Sequence, residues 1–238
     1  MAKKSGVIAS TPKQRVNVTL PPGTLGWADL IKPKSFGDDD PGNYSTNIHW
    51  SDEELEKVAT KLQEGFDAAL EKYLAANPEL EDRKRNSDAA AYLEDKTKTS
   101  DKETLGPWIT FKLKHKEGVS KKSGRPYVIK PRVWDTKGNI LDAVKLGLGR
   151  DSRVSPVISI GFFVSPLVKD ITPSIRLEGV AVLKRVSIKG TGAFDPSSLG
   201  EEISDEEIDD NLAAFAAGAF GGPEEDDDDD EEAHDAFD

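Results

Sequence analysis

The chain of 238 residues contains no cysteine, which excludes disulfides, thiolate zinc sites and cysteine nucleophiles. Its three histidines, His49, His115 and His234, stand far apart without metal-ligand spacing. The longest uncharged apolar run covers about ten residues near 158–168, far short of the roughly 20 that a spanning helix requires. The opening Met1-Ala2-Lys3-Lys4-Ser5-Gly6 lacks the apolar segment of a signal peptide, so a soluble intracellular protein without membrane contact is expected. No carboxylates or histidines converge as an acid–base pair, and no enzyme, cofactor or metal is expected. Gly147-Leu148-Gly149-Arg150-Asp151-Ser152 lacks the Gly-Lys-Ser/Thr of a phosphate-binding loop and reads as a turn. Asp38-Asp39-Asp40 reads as a polar loop in preference to a cation site.

Basic residues are also missing from one whole region. After Lys189 there is no lysine or arginine, while 19 of the 44 acidic residues lie in 191–238. The first 190 residues hold 32 basic and 25 acidic side chains, so the net charge of −12 conceals a body of +7 and a tail of −19. Such asymmetry points to a body that meets a polyanion and a tail that imitates one. The charged fraction, 32%, exceeds the roughly 25% of globular domains, which also suggests that part of the chain does not fold.

Two regions follow: a body over 1–190 and a largely disordered acidic tail over 191–238. An arm through Lys13 is expected to be mobile. Val16, Val18 and Leu20 alternate in a short strand halted by Pro21-Pro22-Gly23, and 44–50 forms a second extended run. Ser51 and Glu54 form a capping box, and Leu55, Val58, Leu62, Phe66, Ala69, Leu70 and Tyr73 recur at helical spacing, predicting a helix over 52–77. The segment 79–104 is nearly all charged and reads as a surface excursion or disordered insert. Short β-rich runs at 108–116, 127–134, 157–165 and 174–186 are broken by turns such as Asp135-Thr136-Lys137-Gly138-Asn139. The fold class is mainly β with a long helix (α+β): an OB-fold-like barrel of about five strands with the helix packed on it. In the tail, Ser204 and Glu207 suggest a short helix over 204–220.

The runs 108–116 and 127–134 carry the chemistry. In the first, Ile109, Phe111, Leu113 and His115 point one way, and Trp108, Thr110, Lys112, Lys114 and Lys116 the other. In the second, Tyr127, Ile129, Pro131 and Val133 alternate with Val128, Lys130, Arg132 and Trp134. The connection adds Lys121, Lys122 and Arg125. Paired as a hairpin, these strands would set cations opposite one another, a cost that a bound anion would relieve. Cations tracking a phosphate backbone beside rings that stack bases are what a sequence-tolerant single-strand binder needs. Lys112, Lys114, Lys130 and Arg132 are the candidate phosphate contacts, and Trp108, Trp134 and Tyr127 the candidate stacking rings. The same pattern also suits a solvated face that protects an edge strand, with Pro131 marking the edge. Ile158, Ile160, Phe162 and Val164 read as interior, whereas Phe163 faces the other way.

The last fifteen residues hold 11 acidic side chains, including Asp226, Asp227, Asp228, Asp229, Asp230, Glu231 and Glu232, and Phe237 follows this run as a candidate anchor for a partner's pocket. An acidic-tailed chaperone or assembly factor for a basic protein would share that feature. The chain resembles the single-stranded DNA-binding proteins that tailed bacteriophages use in replication. The resemblance lies in Met1-Ala2-Lys3-Lys4, Ala68-Ala69-Leu70-Glu71-Lys72-Tyr73 leading into Ala76-Asn77-Pro78, Asp135-Thr136-Lys137-Gly138, Leu177-Glu178-Gly179-Val180, and the acidic tail with its aromatic. Here Asp238 follows that aromatic, and 79–104 is longer than the family pattern. The resemblance implies an OB barrel acting in phage replication, recombination or repair in the host cytoplasm. It further implies sequence-independent binding of single-stranded DNA, and a tail that recruits replication proteins such as polymerase, helicase or primase and competes with DNA. A homodimer is left open.

Overall fold

The computed structural model describes residues 7–35, 40–100, 104–120, 123–164 and 169–186. In chain order they form β1 (Ile8–Ala9), β2 (Val16–Thr19), β3 (Gly23–Lys34), β4 (Asn43–His49), α1 (Asp52–Ala76), α2 (Ala89–Lys96), β5 (Trp108–Lys114), β6 (Lys116–Val119), β7 (Pro126–Ile129), β8 (Arg132–Trp134), the short α3 (Ala143–Leu146), β9 (Arg153–Val164) and β10 (Thr172–Lys184).

The long apolar run in β9 is the spine of an eight-stranded mixed sheet. β10 pairs along one side of it. Along the other side lie three strands in succession, with Ile8 opposite Val164, Val16 opposite Ile160 and Gly23 opposite Val154. β3, β4 and β5 continue as an antiparallel meander, and β8 joins β10 in parallel. β5 comes near β10 but forms no ladder with it, so the sheet is not closed. The expectation of a five-stranded barrel is corrected accordingly. It missed β3, whose Gly23, Gly26 and Pro33 interrupt the alternation that marks a strand.

The capping box forms as its residue types require: the Glu54 N–H donates to Ser51 Oγ, and the Ser51 N–H donates to Glu54 Oε2 at 2.8 Å. Glu54 also takes an ion pair from Arg153, tying the start of α1 to the start of β9. The buried stripe Val58, Leu62, Phe66, Ala69 and Tyr73 then lies on β2 and β9. Gly65 permits this close approach, because a Cβ there would stand 2.6 Å from Ile160 Cδ1 and 2.7 Å from Val18 Cγ2. Phe66 meets Phe162 edge-on, centroids 6.0 Å apart and both rings fully buried, each burial contributing about 1.5–3 kcal/mol.

One expectation of disorder is corrected, and of the two readings of 79–104 the described residues follow the surface excursion. The arm before Lys13 is structured from residue 7: β1 pairs with β9, the Tyr73 hydroxyl donates to the Ile8 carbonyl at 2.8 Å, and Pro12–Gln14 make a 3₁₀ turn. Arg15 anchors the next step by donating to Ser159 Oγ at 2.8 Å and to the carbonyls of Ser159 and Ser174 at 2.7 and 2.9 Å. Burial, helped by the nearby Arg176, lowers its pKa to about 10, so it stays charged at neutral pH. Within 79–104, α2 folds against α1 with Ala89 and Leu93 buried, and Leu80 is buried just ahead of it. Gln63 ties the segment down, accepting from the Ala89 N–H and donating to the Ser87 carbonyl. Few apolar residues suffice because α1 supplies the rest of the contact.

Among the described residues no helix is long and apolar enough to cross a membrane, and no group of three or more residues is arranged to hold a metal. Gly147, with φ of 55°, ends α3 as the turn reading of that segment anticipates. Gly37, Asp38, Asp39, Lys121, Lys122, the helix expected over 204–220 and the acidic tail lie outside the described residues.

Candidate nucleic-acid interface

Alternation sorts β4 and β5 into two faces. Tyr44, Thr46 and Ile48 of β4 and Ile109, Phe111 and Leu113 of β5 point inward and are buried. The outward rows pair His49 with Trp108, Asn47 with Thr110, Ser45 with Lys112 and Asn43 with Lys114. Lys112 and Lys114 are exposed, and Trp108 and Thr110 half-buried. The Thr110 hydroxyl donates to Asn47 Oδ1 at 2.8 Å, which fixes that amide. The His49 Nδ1–H donates to the Gly106 carbonyl at 2.9 Å, and its ring supports Trp108 with centroids 5.6 Å apart.

β3 completes this surface. A Cβ on Gly26 would collide with the His49 ring, so glycine is what lets the imidazole lie across the strand. Next to it Trp27 is 61% exposed. Its Nε1–H donates to Asp29 Oδ2 at 3.0 Å, and the Ser45 hydroxyl donates to the same oxygen at 3.5 Å, placing Trp27 on the Ser45 side of the sheet. The outward face of β3–β5 therefore carries two indoles, two lysines and a row of small polar groups. Trp27 was missed because β3 was missed. The available signal was a tryptophan between Gly26 and Ala28 that is followed two residues later by the charged Asp29.

The hairpin considered for 108–116 and 127–134 forms only in part. β5 joins β4 and β8 joins β10, and pairing between the two runs is confined to the segments nearest their connection, Lys116–Val119 with Pro126–Ile129, as the two-stranded ribbon β6–β7. Lys116 faces Ile129, Lys112 faces Ser45 and Lys114 faces Asn43, so none of these three lysines has a cation opposite it in its ladder. Tyr127, a candidate stacking ring, is exposed, as are Ile129, Arg125 and Lys130. Tyr127 lies beside Gly118 on the ribbon face that also carries Lys116.

Trp134 is corrected from stacking ring to buried side chain: it is 8% exposed and packs with Val157 and Ala181. Its ring lies over Gly179, where a Cβ would come within 2.6 Å of it. Arg132, exposed, stands on β8 opposite Gly179, separated from β3 by β9 and β10 in the sheet. There it belongs with Arg15, Arg176 and Glu178, whose carboxyl is pushed up by burial despite those three cations. The structure thus brings Trp108, Lys112 and Lys114 together with Trp27, sets Lys116, Arg125, Tyr127 and Lys130 on or beside the ribbon, and places Arg132 and Trp134 on β8, with β10 and β9 between that strand and β3 in the sheet order. Phe163 is half-buried opposite Ala9 and Thr172.

No family model and no curated protein matches the chain. Among solved structures it is similar to gp2.5, a single-stranded DNA-binding protein encoded by bacteriophage T7, at 18% identity over 80% of this chain and 98% of that one, with a TM-score of 0.44. It is also similar to the single-stranded DNA-binding protein from bacteriophage Enc34, at 15% identity over 81% and 97% of the two chains and a TM-score of 0.37. The complex of that protein with single-stranded DNA gives 14% identity over 79% and 100%, with a TM-score of 0.39. Likeness at this identity and TM-score assigns neither an activity nor a site residue to this chain, so its function is read from its own side chains.

Proposed function

We propose that this protein is a non-catalytic binder of single-stranded DNA that does not read sequence, using the outward face of β3–β5 and the Lys116–Tyr127 face of the ribbon. The observation that carries this reading is the grouping of Trp27 and Trp108 with Lys112 and Lys114 on one solvent-facing surface. Indoles accept any base on a π-face, and lysines meet the phosphates between bases. Neither demands a particular hydrogen-bonding edge, which makes the contact tolerant of sequence. Duplex DNA hides its base faces in the stack and is bound less well. In this reading the open sheet serves as an OB-like platform for phage replication in the host cytoplasm. The acidic tail, with Asp226–Asp230, Glu231, Glu232 and Phe237, competes with DNA for the basic surface and recruits replication proteins.

The test is titration of labelled oligonucleotides, single-stranded against duplex, over a range of salt. The reading requires single-strand preference and affinity that falls as salt rises. Equal affinity for duplex, or binding indifferent to salt, would refute it. Binding of a basic protein that is lost with the tail, together with no oligonucleotide binding by the body, would favour a tail-driven chaperone instead.

A further inference from the structure

Asp29 is the one acidic residue in β3, β4 and β5. Its ladder partner Ser45 faces Lys112 in turn, and another outward row sets Lys34 and Lys114 on either side of Asn43. Residues opposite one another share a face, so Asp29 stands on the outward surface, after Trp27 and before Lys34 along its strand. β3 is bulged just ahead of it. Leu25 faces Ile48 and Ala28 faces Thr46, so the stretch through Gly26 and Trp27 has one residue more than the strand it pairs with. A bulge re-aims the side chains it contains. Here the Trp27 indole turns to Asp29, donating its Nε1–H to Oδ2 at 3.0 Å, and the Ser45 hydroxyl donates to the same oxygen at 3.5 Å.

Holding an indole N–H does not require a charge. An asparagine or serine oxygen would accept the same bond, whereas a carboxylate on a surface that meets phosphates lowers its affinity for every polyanion. A like charge about 4 Å from a phosphate in water costs about a factor of five in binding. What the charge adds is exclusion, and specificity commonly rests on such a repulsive element. Bases are uncharged and can lie beside a carboxylate. Phosphates placed there are repelled and are left to the lysines at Lys34, Lys112 and Lys114.

We propose that Asp29 makes this surface selective for strands that carry bases: its charge keeps phosphates off the part of the face beside Trp27, and its hydrogen bond holds that indole ready to stack. This deepens the single-strand-binding reading and rests on it. The full-length chain and its Asp29→Asn and Asp29→Ala variants are titrated at low salt with an oligothymidylate and with an abasic oligomer of equal length, which has the same phosphates and no bases. Asparagine removes the charge and keeps an acceptor for Trp27, and alanine removes both. The ratio of the two affinities is read, because anything else that occupies the surface, the acidic tail included, lowers both alike. Asp29→Asn should bind the abasic oligomer about fivefold more tightly than the native chain and the oligothymidylate within about twofold of it. Asp29→Ala should show the same gain for the abasic oligomer but bind oligothymidylate roughly threefold more weakly than Asp29→Asn, since the indole must then be ordered on binding. Equal gains for both strands in Asp29→Asn, or no gain for either, overturn the proposal, as does identical binding by the asparagine and alanine variants. Failure of the native chain to bind oligothymidylate instead overturns the single-strand reading, a result distinguishable from the others.

Discussion

The ring of Trp108 rests against the ring of His49, directly opposite it in the β4–β5 ladder, with planes inclined by 38°. The imidazole is buried at 3% exposure and held by the Gly106 carbonyl, so one side of the indole is braced while the residue stays half-open. A braced ring loses little freedom when a base stacks on it, which favours binding.

Trp108→Ala and Trp27→Ala should each weaken single-strand binding by about 1–3 kcal/mol, the usual worth of a stacked base. Trp27→Ala should change stability by less than about 0.5 kcal/mol, as expected at an exposed site. Tryptophan fluorescence quenched by oligonucleotide in the native chain, and quenched less in each variant, is the check. Unaltered emission on saturation would remove both rings from the interface.

Trp134→Ala should behave in the opposite way. Emptying the space over Gly179 costs about 3–5 kcal/mol of stability, read from denaturant unfolding. Binding by the fraction that remains folded should be unchanged.

Lys112→Ala and Lys114→Ala should each reduce the slope of log affinity against log salt by about 0.7, the value for one phosphate contact on a single strand. Arg132→Ala, on the far side of β9 and β10, should leave the slope where it was. Equal effects of all three would show that the strand follows another path.

Glu54→Gln should lower the melting temperature at neutral pH. Partial burial opposes ionisation of Glu54, but hydrogen bonds from Arg153 and Ser51 outweigh it and hold its pKa below the ordinary glutamate value. A carboxylate with a depressed folded-state pKa contributes stability above its unfolded pKa and loses it as the pH falls through the folded one. The gap between native and variant melting temperatures should therefore close in the acid range below the ordinary glutamate pKa. A gap that persists there would place the effect in packing instead of charge.

Deleting residues 224–238 should raise affinity for single strands, most at low salt where attraction between tail and body is least screened. Equal affinities of the truncated and intact chains at low ionic strength would leave the tail without a competing role.

The sequence by itself determined the elements whose signals are local. The capping box of Ser51 and Glu54 and the spacing from Val58 to Tyr73 placed α1, and alternation in 108–114 assigned Ile109, Phe111 and Leu113 to the interior and the lysines to solvent. It also separated a basic body from an acidic tail, because charge needs no fold to be counted. Tertiary structure alone decided which strands are neighbours and which outward residues stay open. Trp108 and Trp134 both follow the outward parity of their strands, yet Trp134 is buried because Gly179 on the adjacent strand leaves room for its ring. Trp27 entered the surface only when β3 took its place beside β4, a pairing between segments whose own pattern is interrupted by glycine and proline. Strand pairing is a long-range choice set by the burial of every strand at once, and no window of the chain carries it.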